Sequence, residues 1–138
     1  MGYYAVLDTN VIVSAMLNWN SVPGSILEFT FEGIIRPVLN AEIVNEYRMV
    51  LSRDKFGLTE DIVNDIIESI EIVGIFIDAA EHIDIEMPDL NDRVFYEIVM
   101  EERKGEDAYL VTGNIKHFPR KPFIVTPRQM LDIILRDL

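Results

Sequence analysis

Cysteine is absent from the 138 residues. That excludes disulfides, thiolate metal sites and a cysteine nucleophile together, and it permits a reducing cytosol. No apolar run approaches the roughly 18 residues that cross a membrane. The opening stretch MGYYAVLDTN lacks the basic lead and apolar core of a secretory leader. A cytoplasmic protein with no membrane partner is therefore expected. Several catalytic engines are missing too: there is no Walker loop, no GxGxxG, no GxSxG and no HExxH. Histidine occurs only twice. His82 lies among acids without a partner motif and reads as a surface residue. His117 reads as a capping or packing residue, or as a phosphate contact.

Cations are scarce. The chain holds 12 Lys and Arg against 24 Asp and Glu, for a formal charge of −12. Taken whole, that charge disfavours a polyanionic partner. Its distribution is uneven, however. Between Phe56 and Asp92 there is no Lys or Arg, and the acids run from Glu60 through Glu86 to Asp89 and Asp92. Between Ala108 and Leu131 there is no acid, but Lys116, Arg120, Lys121 and Arg128 are present. The acidic stretch reads as solvated surface. The basic stretch acquires meaning only beside a reactive site.

Hydrophobic residues make up 49% of the chain, which suits a globular core. At this length, residues 1–138 are expected to form one domain. Tyr3 to Leu7 reads as a buried strand ending at Asp8, and a helix follows from about Asn10 to Leu17. Ser21 caps a second helix with Pro23 in its first turn, stopped by Gly33. Ile34 to Val38 reads as a strand. Asn40 caps a helix to about Leu51, and Thr59 caps another that ends at Gly74. Ile75 to Ile77 is a third strand. Asp89 to Asp92 opens a helix running to Lys104, stopped by Gly105. Ala108 to Val111 and Phe123 to Val125 complete the strands, and Pro127 starts a last helix. Strands alternating with helices predict a parallel sheet covered on both faces.

Ligands of such sheets bind beyond the carboxyl ends of the strands. Asp8-Thr9-Asn10 follows the first strand and Thr112-Gly113-Asn114 the fourth, so both face one crevice if those strands are neighbours. Asp8 reads either as a turn or cap residue or as part of that crevice. Glu46 lies three residues from Ile43 at the edge of the Ile43, Tyr47, Val50 stripe; it either reaches water or turns inward to meet a cation. Asp89 and Asp92 suit a helix start, yet Asp89-Leu90-Asn91-Asp92 is also dense in oxygen ligands. Carboxylates gathered in one crevice require a counter-cation, and all-oxygen donors select Mg²⁺ or Mn²⁺ over Zn²⁺.

Leu7-Asp8-Thr9-Asn10-Val11, Asn45-Glu46-Tyr47, Asp89-Leu90-Asn91-Asp92 and Tyr109 to Gly113 followed by Asn114 resemble, in this order, the PIN-domain family of metal-dependent ribonucleases. The resemblance spans essentially the whole chain. The branch it is most similar to holds the VapC-like toxins of toxin–antitoxin pairs. It implies a three-layer α/β/α fold with a five-stranded parallel sheet of order 3-2-1-4-5, and a pocket for one or two Mg²⁺ or Mn²⁺ ions. Asp8, Glu46 and Asp92 match the family's core acids, Asp89 an additional acid of the branch, and Thr112 a pocket hydroxyl. Asn114 stands where many relatives carry Asp; its carbonyl oxygen can ligate but brings no charge.

The expected function is an Mg/Mn-dependent endoribonuclease. Asp8, Glu46 and Asp92 are its catalytic acids. Asp8, Glu46, Asp89, Asp92 and Asn114 are its metal ligands, Thr9, Asn10 and Thr112 orient the pocket, and Lys116, Arg120, Lys121 and Arg128 hold the RNA backbone. An antitoxin protein and a homodimer are the other partners the resemblance implies. A second reading is a receiver-like signalling domain with Asp78 as phosphoacceptor and Lys121-Pro122 as its late Lys-Pro pair. Against it, Asp8 is followed by Thr9 and Asn10 rather than by a second acid. A third, motivated by Asn114, is a catalytically inactive PIN-like interaction domain.

Overall fold

The computed structural model describes residues 2–78 and 80–138. Strand β1 (Tyr3–Leu7) leads into α1 (Thr9–Leu17) and α2 (Val22–Phe31), then β2 (Ile35–Leu39), α3 (Ala41–Leu51) and α4 (Glu60–Val73). A short β3 (Ile75–Phe76) follows, then α5 (Arg93–Glu102), β4 (Ala108–Val111), β5 (Ile124–Val125) and α6 (Pro127–Arg136). The five strands form one parallel sheet in the order β3-β2-β1-β4-β5, flanked by the helices. The fold is the expected three-layer α/β/α arrangement. Among the described residues no helix is long and apolar enough to cross a membrane.

Local chemistry sets the helix starts. Ser21, Asn40 and Thr59 each accept a backbone N–H three residues on, at 3.2, 2.8 and 3.2 Å. Thr126 and Gln129 form a reciprocal capping box, with Pro127 in the first turn. Gly33 ends α2 with φ +81°, a left-handed conformation that disfavours any side chain. The core is aliphatic: Ala5, Val6 and Leu7 of the central strand are fully buried, as are Val38, Leu39, Leu110 and Val111 on its neighbours. Such strands are covered on both faces, which is why they read as continuous apolar runs rather than alternations.

Some boundaries differ from expectation: β3 ends at Phe76 and β5 begins at Ile124, each strand one residue shorter than expected. β2 is shifted by one residue and carries Pro37 inside it; the ladder to β3 begins only at Val38. Asp89 caps a 3-10 turn, Leu90–Asp92, and not an α-helix directly: its Oδ1 accepts from Asn91 N–H at 2.9 Å. The α-helix starts one turn later and ends at Glu102, before Lys104. The receiver reading is corrected by the sheet order. That fold needs the order 2-1-3-4-5, with the third strand beside the first. Here β3 is an edge strand separated from β1 by β2, so Asp78 lies away from the ends of β1 and β4.

The opposite edge is finished differently. Phe123 and Val125 offer their carbonyls to Leu110 of β4 and to Thr112 just after it, so the intervening Ile124 and the following Thr126 turn their amides outward. Neither amide is left open. Ile124 N–H donates to Lys121 O at 3.1 Å and Thr126 N–H to Gln129 Oε1 at 2.9 Å.

Candidate functional site

The site begins with register. Leu7 pairs with Val111, and Asp8 N–H donates to Val111 O at 2.9 Å, so the next residues on the two strands, Asp8 and Thr112, lie side by side. Thr112 is fully buried and Asp8 is 5% exposed. Thr112 Oγ1 donates to Asp8 Oδ2 at 2.7 Å, and Asn10 Nδ2 donates to the same oxygen at 3.1 Å. Asp8 occupies the N-cap position of α1 but makes no side-chain cap bond. Asn10 reaches across as well, accepting from Gly113 N–H at 3.0 Å, and Asn114 N–H donates to Thr112 Oγ1 at 3.0 Å. The ends of β1 and β4 are thus sewn together by their own polar side chains. Thr112→Val should remove both the donor to Asp8 and the acceptor for Asn114. A loss of about 1–3 kcal/mol in urea unfolding is expected. The Asp8 carboxyl should titrate higher by NMR, because the hydroxyl bond now holds it down.

Burial dominates the electrostatics of Asp8. Desolvation pushes its pKa up to about 6, Thr112 opposes this, and the charge of Asp92 adds to it. Asp92 is raised in turn, chiefly by desolvation and further by the charges of Asp89 and Glu46, against the lowering contact with His117. Asp92 is the acid the others share: the charge of Asp92 bears on Asp8, and those of Asp89 and Glu46 bear on Asp92. Asp92 sits at the N-cap of α5, again without a cap bond, and its side chain is 16% exposed. Glu46 is half-buried on α3 and Asp89 is exposed.

The carboxylates are coupled through space but are not closed around one point. Among the described residues, no group of three or more His, Asp or Glu is close enough to hold an ion as it stands. Acids without a counter-ion repel one another. The donor chemistry fits a hard divalent ion: every candidate ligand is an oxygen, and Thr9 Oγ1 is buried beside Asp8 without a hydrogen-bond partner.

The remaining sequence-derived residues distribute as follows. Asn114 is exposed at the start of a 3-10 turn, Ile115–His117, without capping it. Lys116, Arg120 and Lys121 are exposed. Arg128 lies on α6 and pairs with Asp132 at 3.7 Å.

Two residues escaped the sequence reading. His117 Nδ1 lies 3.3 Å from Asp92 Oδ2 and, in the tautomer protonated there, donates to it. The two residues are 25 positions apart, so no local spacing signalled the contact. Tyr47, read only as apolar stripe, is fully buried, and its hydroxyl donates to Leu7 O at 2.5 Å. It ties α3 to the strand end just before Asp8, which positions the neighbouring Glu46. A buried hydroxyl on an otherwise apolar stripe was the available signal.

A family model of the PIN domain matches residues 4–116. No curated protein and no solved structure matches the chain. PIN domains are in general nucleases that use divalent metal ions, which accords with the oxygen-bearing side chains of Asp8, Asn10 and Thr112 at the ends of β1 and β4. The matched stretch covers most of the sequence, from the strand that delivers Asp8 to the turn after Asn114, and the chain belongs to the PIN-domain family.

Proposed function

We propose that the protein is a metal-dependent endoribonuclease, in the manner of the VapC-like branch. The observation that supports it most is the Asp8 carboxylate, buried, held on one oxygen by Thr112 and Asn10, and pushed up to about 6 with Asp92 as an acidic neighbour. An ionised group in that position asks for a cation. Asp8, Glu46 and Asp92 would hold Mg²⁺ or Mn²⁺, with Asp89 and Asn114 completing the shell for one ion or two. Bound there, the ion would supply an activated water and stabilise the charge that builds on a phosphodiester. The chain's own residues set the geometry. Thr112 and Asn10 fix the Asp8 carboxylate, Thr9 adds a buried hydroxyl, and His117 steadies Asp92. Lys116, Arg120, Lys121 and Arg128 follow the crevice in sequence and would take the RNA backbone.

The test is cleavage of single-stranded RNA in Mn²⁺. Wild type is expected to cut, and both EDTA and the Asp8→Asn change to abolish cutting. Equal, EDTA-resistant cleavage by the two proteins would betray a contaminant and sink the proposal. Asn114 motivates one other reading, an inactive interaction domain of the same fold, which calorimetry showing no Mn²⁺ uptake would favour. A toxin role implies an antitoxin encoded beside this chain, and homodimerisation is checked by sedimentation.

A further inference from the structure

Residues 80–88 lie along α5 without joining the sheet. Among the described residues they make no backbone–backbone hydrogen bond. Side chains of α5 hold them instead. Glu101 Oε1 accepts from Glu81 N–H at 3.4 Å, Glu97 Oε2 accepts from Ile83 N–H at 2.7 Å, and Arg93 Nη2 donates to Ile85 O at 3.1 Å. Arg93, Glu97 and Glu101 recur every fourth residue on one face of the helix, and Ile85, Ile83 and Glu81 every second residue on one edge of an extended chain. The two repeats match, since four helical residues rise ~6 Å and two extended ones ~6.7 Å. The segment is thus held antiparallel to α5 in a defined register. His82 Nδ1 lies 2.9 Å from Glu97 Oε2, and Lys104 bridges Glu81 and Glu101. Ile83, Ile85 and Met87 are half-buried against the core, while His82, Asp84 and Glu86 are exposed. The seam is not filled. A hollow of about 300 Å³ is lined by Ile83, Glu97 and Met100, and one of about 590 Å³ by Ile85, Met87 and Arg93. Arg93 Nε is buried without a hydrogen-bond partner.

Both sides of this seam lead to candidate metal ligands. The segment runs directly into Asp89, and α5 begins at Arg93, the residue after Asp92. Asp89 and Asp92 bound one 3-10 turn, in which Asp92 N–H donates to Asp89 O at 3.1 Å. We propose that residues 81–88 form a releasable strap, and that its seating on α5 holds the Asp89–Asp92 turn in the form that takes the ion. This rests on the nuclease reading and deepens it by naming a regulation of that same site: strap release and ion binding oppose each other. Glu97 is then a positioning residue, acting on the two acids through the strap. The attachment is what makes release accessible. A strand inside a sheet leaves only when its ladder breaks. A segment fastened by a few side chains over an unfilled seam opens locally, at a free energy below that of global unfolding. A carboxylate such as Glu97 takes the place of a ladder carbonyl here, so a single substitution can loosen the strap without touching the sheet.

The experiment is amide hydrogen exchange followed by NMR on the metal-free protein, repeated across low urea concentrations. The amides of Ile83 and Asp92 should exchange at least about tenfold faster than that of Leu110, which donates to Phe123 O inside the sheet. They should share one opening free energy and a shallow urea dependence, because little surface is exposed when the strap lifts. Glu97→Ala should speed both by the same factor, at least about fivefold. Glu97→Gln, whose amide oxygen can still accept the Ile83 N–H, should restore most of the protection. Mg²⁺ at ten times its Kd should slow both by about elevenfold, the factor expected when release excludes the ion. Ile83 exchanging as slowly as Leu110 would make the segment part of the core and overturn the proposal. So would Asp92 keeping its wild-type rate in Glu97→Ala, since the turn would then open without the strap. Slowing of Leu110 alone by Mg²⁺ would overturn it too, because the ion would then bind with the strap released. With the metal-free results as expected, Mg²⁺ slowing none of the three amides upholds the strap and refutes the ion site of the nuclease reading. A protein that cuts RNA in Mn²⁺ while Ile83 and Asp92 open independently refutes the strap alone.

Discussion

Asp8→Asn should unfold at a higher temperature than wild type at about pH 8, even as it loses cleavage by at least about a thousandfold. The gain follows from the cost of keeping this carboxylate ionised. In the unfolded chain Asp8 titrates at 3.8; in the folded chain burial and Asp92 push it up to about 6. Between those values the native protein binds the extra proton. Stability is therefore fully present below 3.8, falls as the pH rises through 6, and is level beyond. At ~1.36 kcal/mol per unit the penalty above this window is about 3 kcal/mol, or roughly 10 °C for a chain of this size. An amide removes the penalty while preserving the contacts, because Thr112 and Asn10 both donate to the same oxygen, Oδ2. The advantage should shrink to about half at pH 5. Added Mn²⁺ should narrow it further by stabilising wild type selectively. Melting curves at the two pH values, with and without Mn²⁺, check each part. A variant less stable than wild type at both would mean that Asp8 is a structural anchor and not a strained ligand.

Gly24→Ala should destabilise by about 2–4 kcal/mol, opposite in sign to what helix propensity predicts. Alanine is the better helix former by roughly 1 kcal/mol. Gly24 lies in the first turn of α2, however, and a Cβ there would stand 1.9 Å from Trp19 O and 2.7 Å from Trp19 C. Both are backbone atoms and have nowhere to swing. The loop carrying them is pinned, since Trp19 stacks on Phe31 with ring centroids 6.0 Å apart. Making room means lifting that loop and stretching the Ser21 cap, whose acceptor takes the Gly24 N–H itself. Overpacking and a lost cap together account for the magnitude. Urea midpoints decide it, with Gly57→Ala as the comparison. Gly57 has φ +66° and open space around it, so its cost should be about 1 kcal/mol, from backbone strain alone. Equal effects at the two glycines would remove the steric argument.

Local and periodic signals carried the fold. Capping residues such as Asn40 and Thr126 announce helix starts through chemistry within three residues, and the apolar runs of β1 and β4 announce buried parallel strands. Asp8 and Thr112 were legible as one crevice because adjacency of two strands puts their following residues together. Asp92 with His117 was not, since their contact depends on how a 3-10 turn after β4 folds back over the start of α5. A groove between β5 and α6 was equally hidden. Four basic residues were visible in the sequence, but only packing showed that Arg120 and Lys121 share a lining with Arg136 while Arg128 turns to Asp132.

The closed amides of Ile124 and Thr126 decide how the margin of the sheet can be used. An edge strand with open donors is a template on which another chain can polymerise. Here the two outward N–H groups are consumed by the chain's own turn and capping box. The sheet therefore ends at β5 by construction and resists edge-to-edge growth into fibrils. A strand arriving on that side finds neither of these two N–H groups free, which leaves recognition there to side chains and to the remaining outward carbonyl.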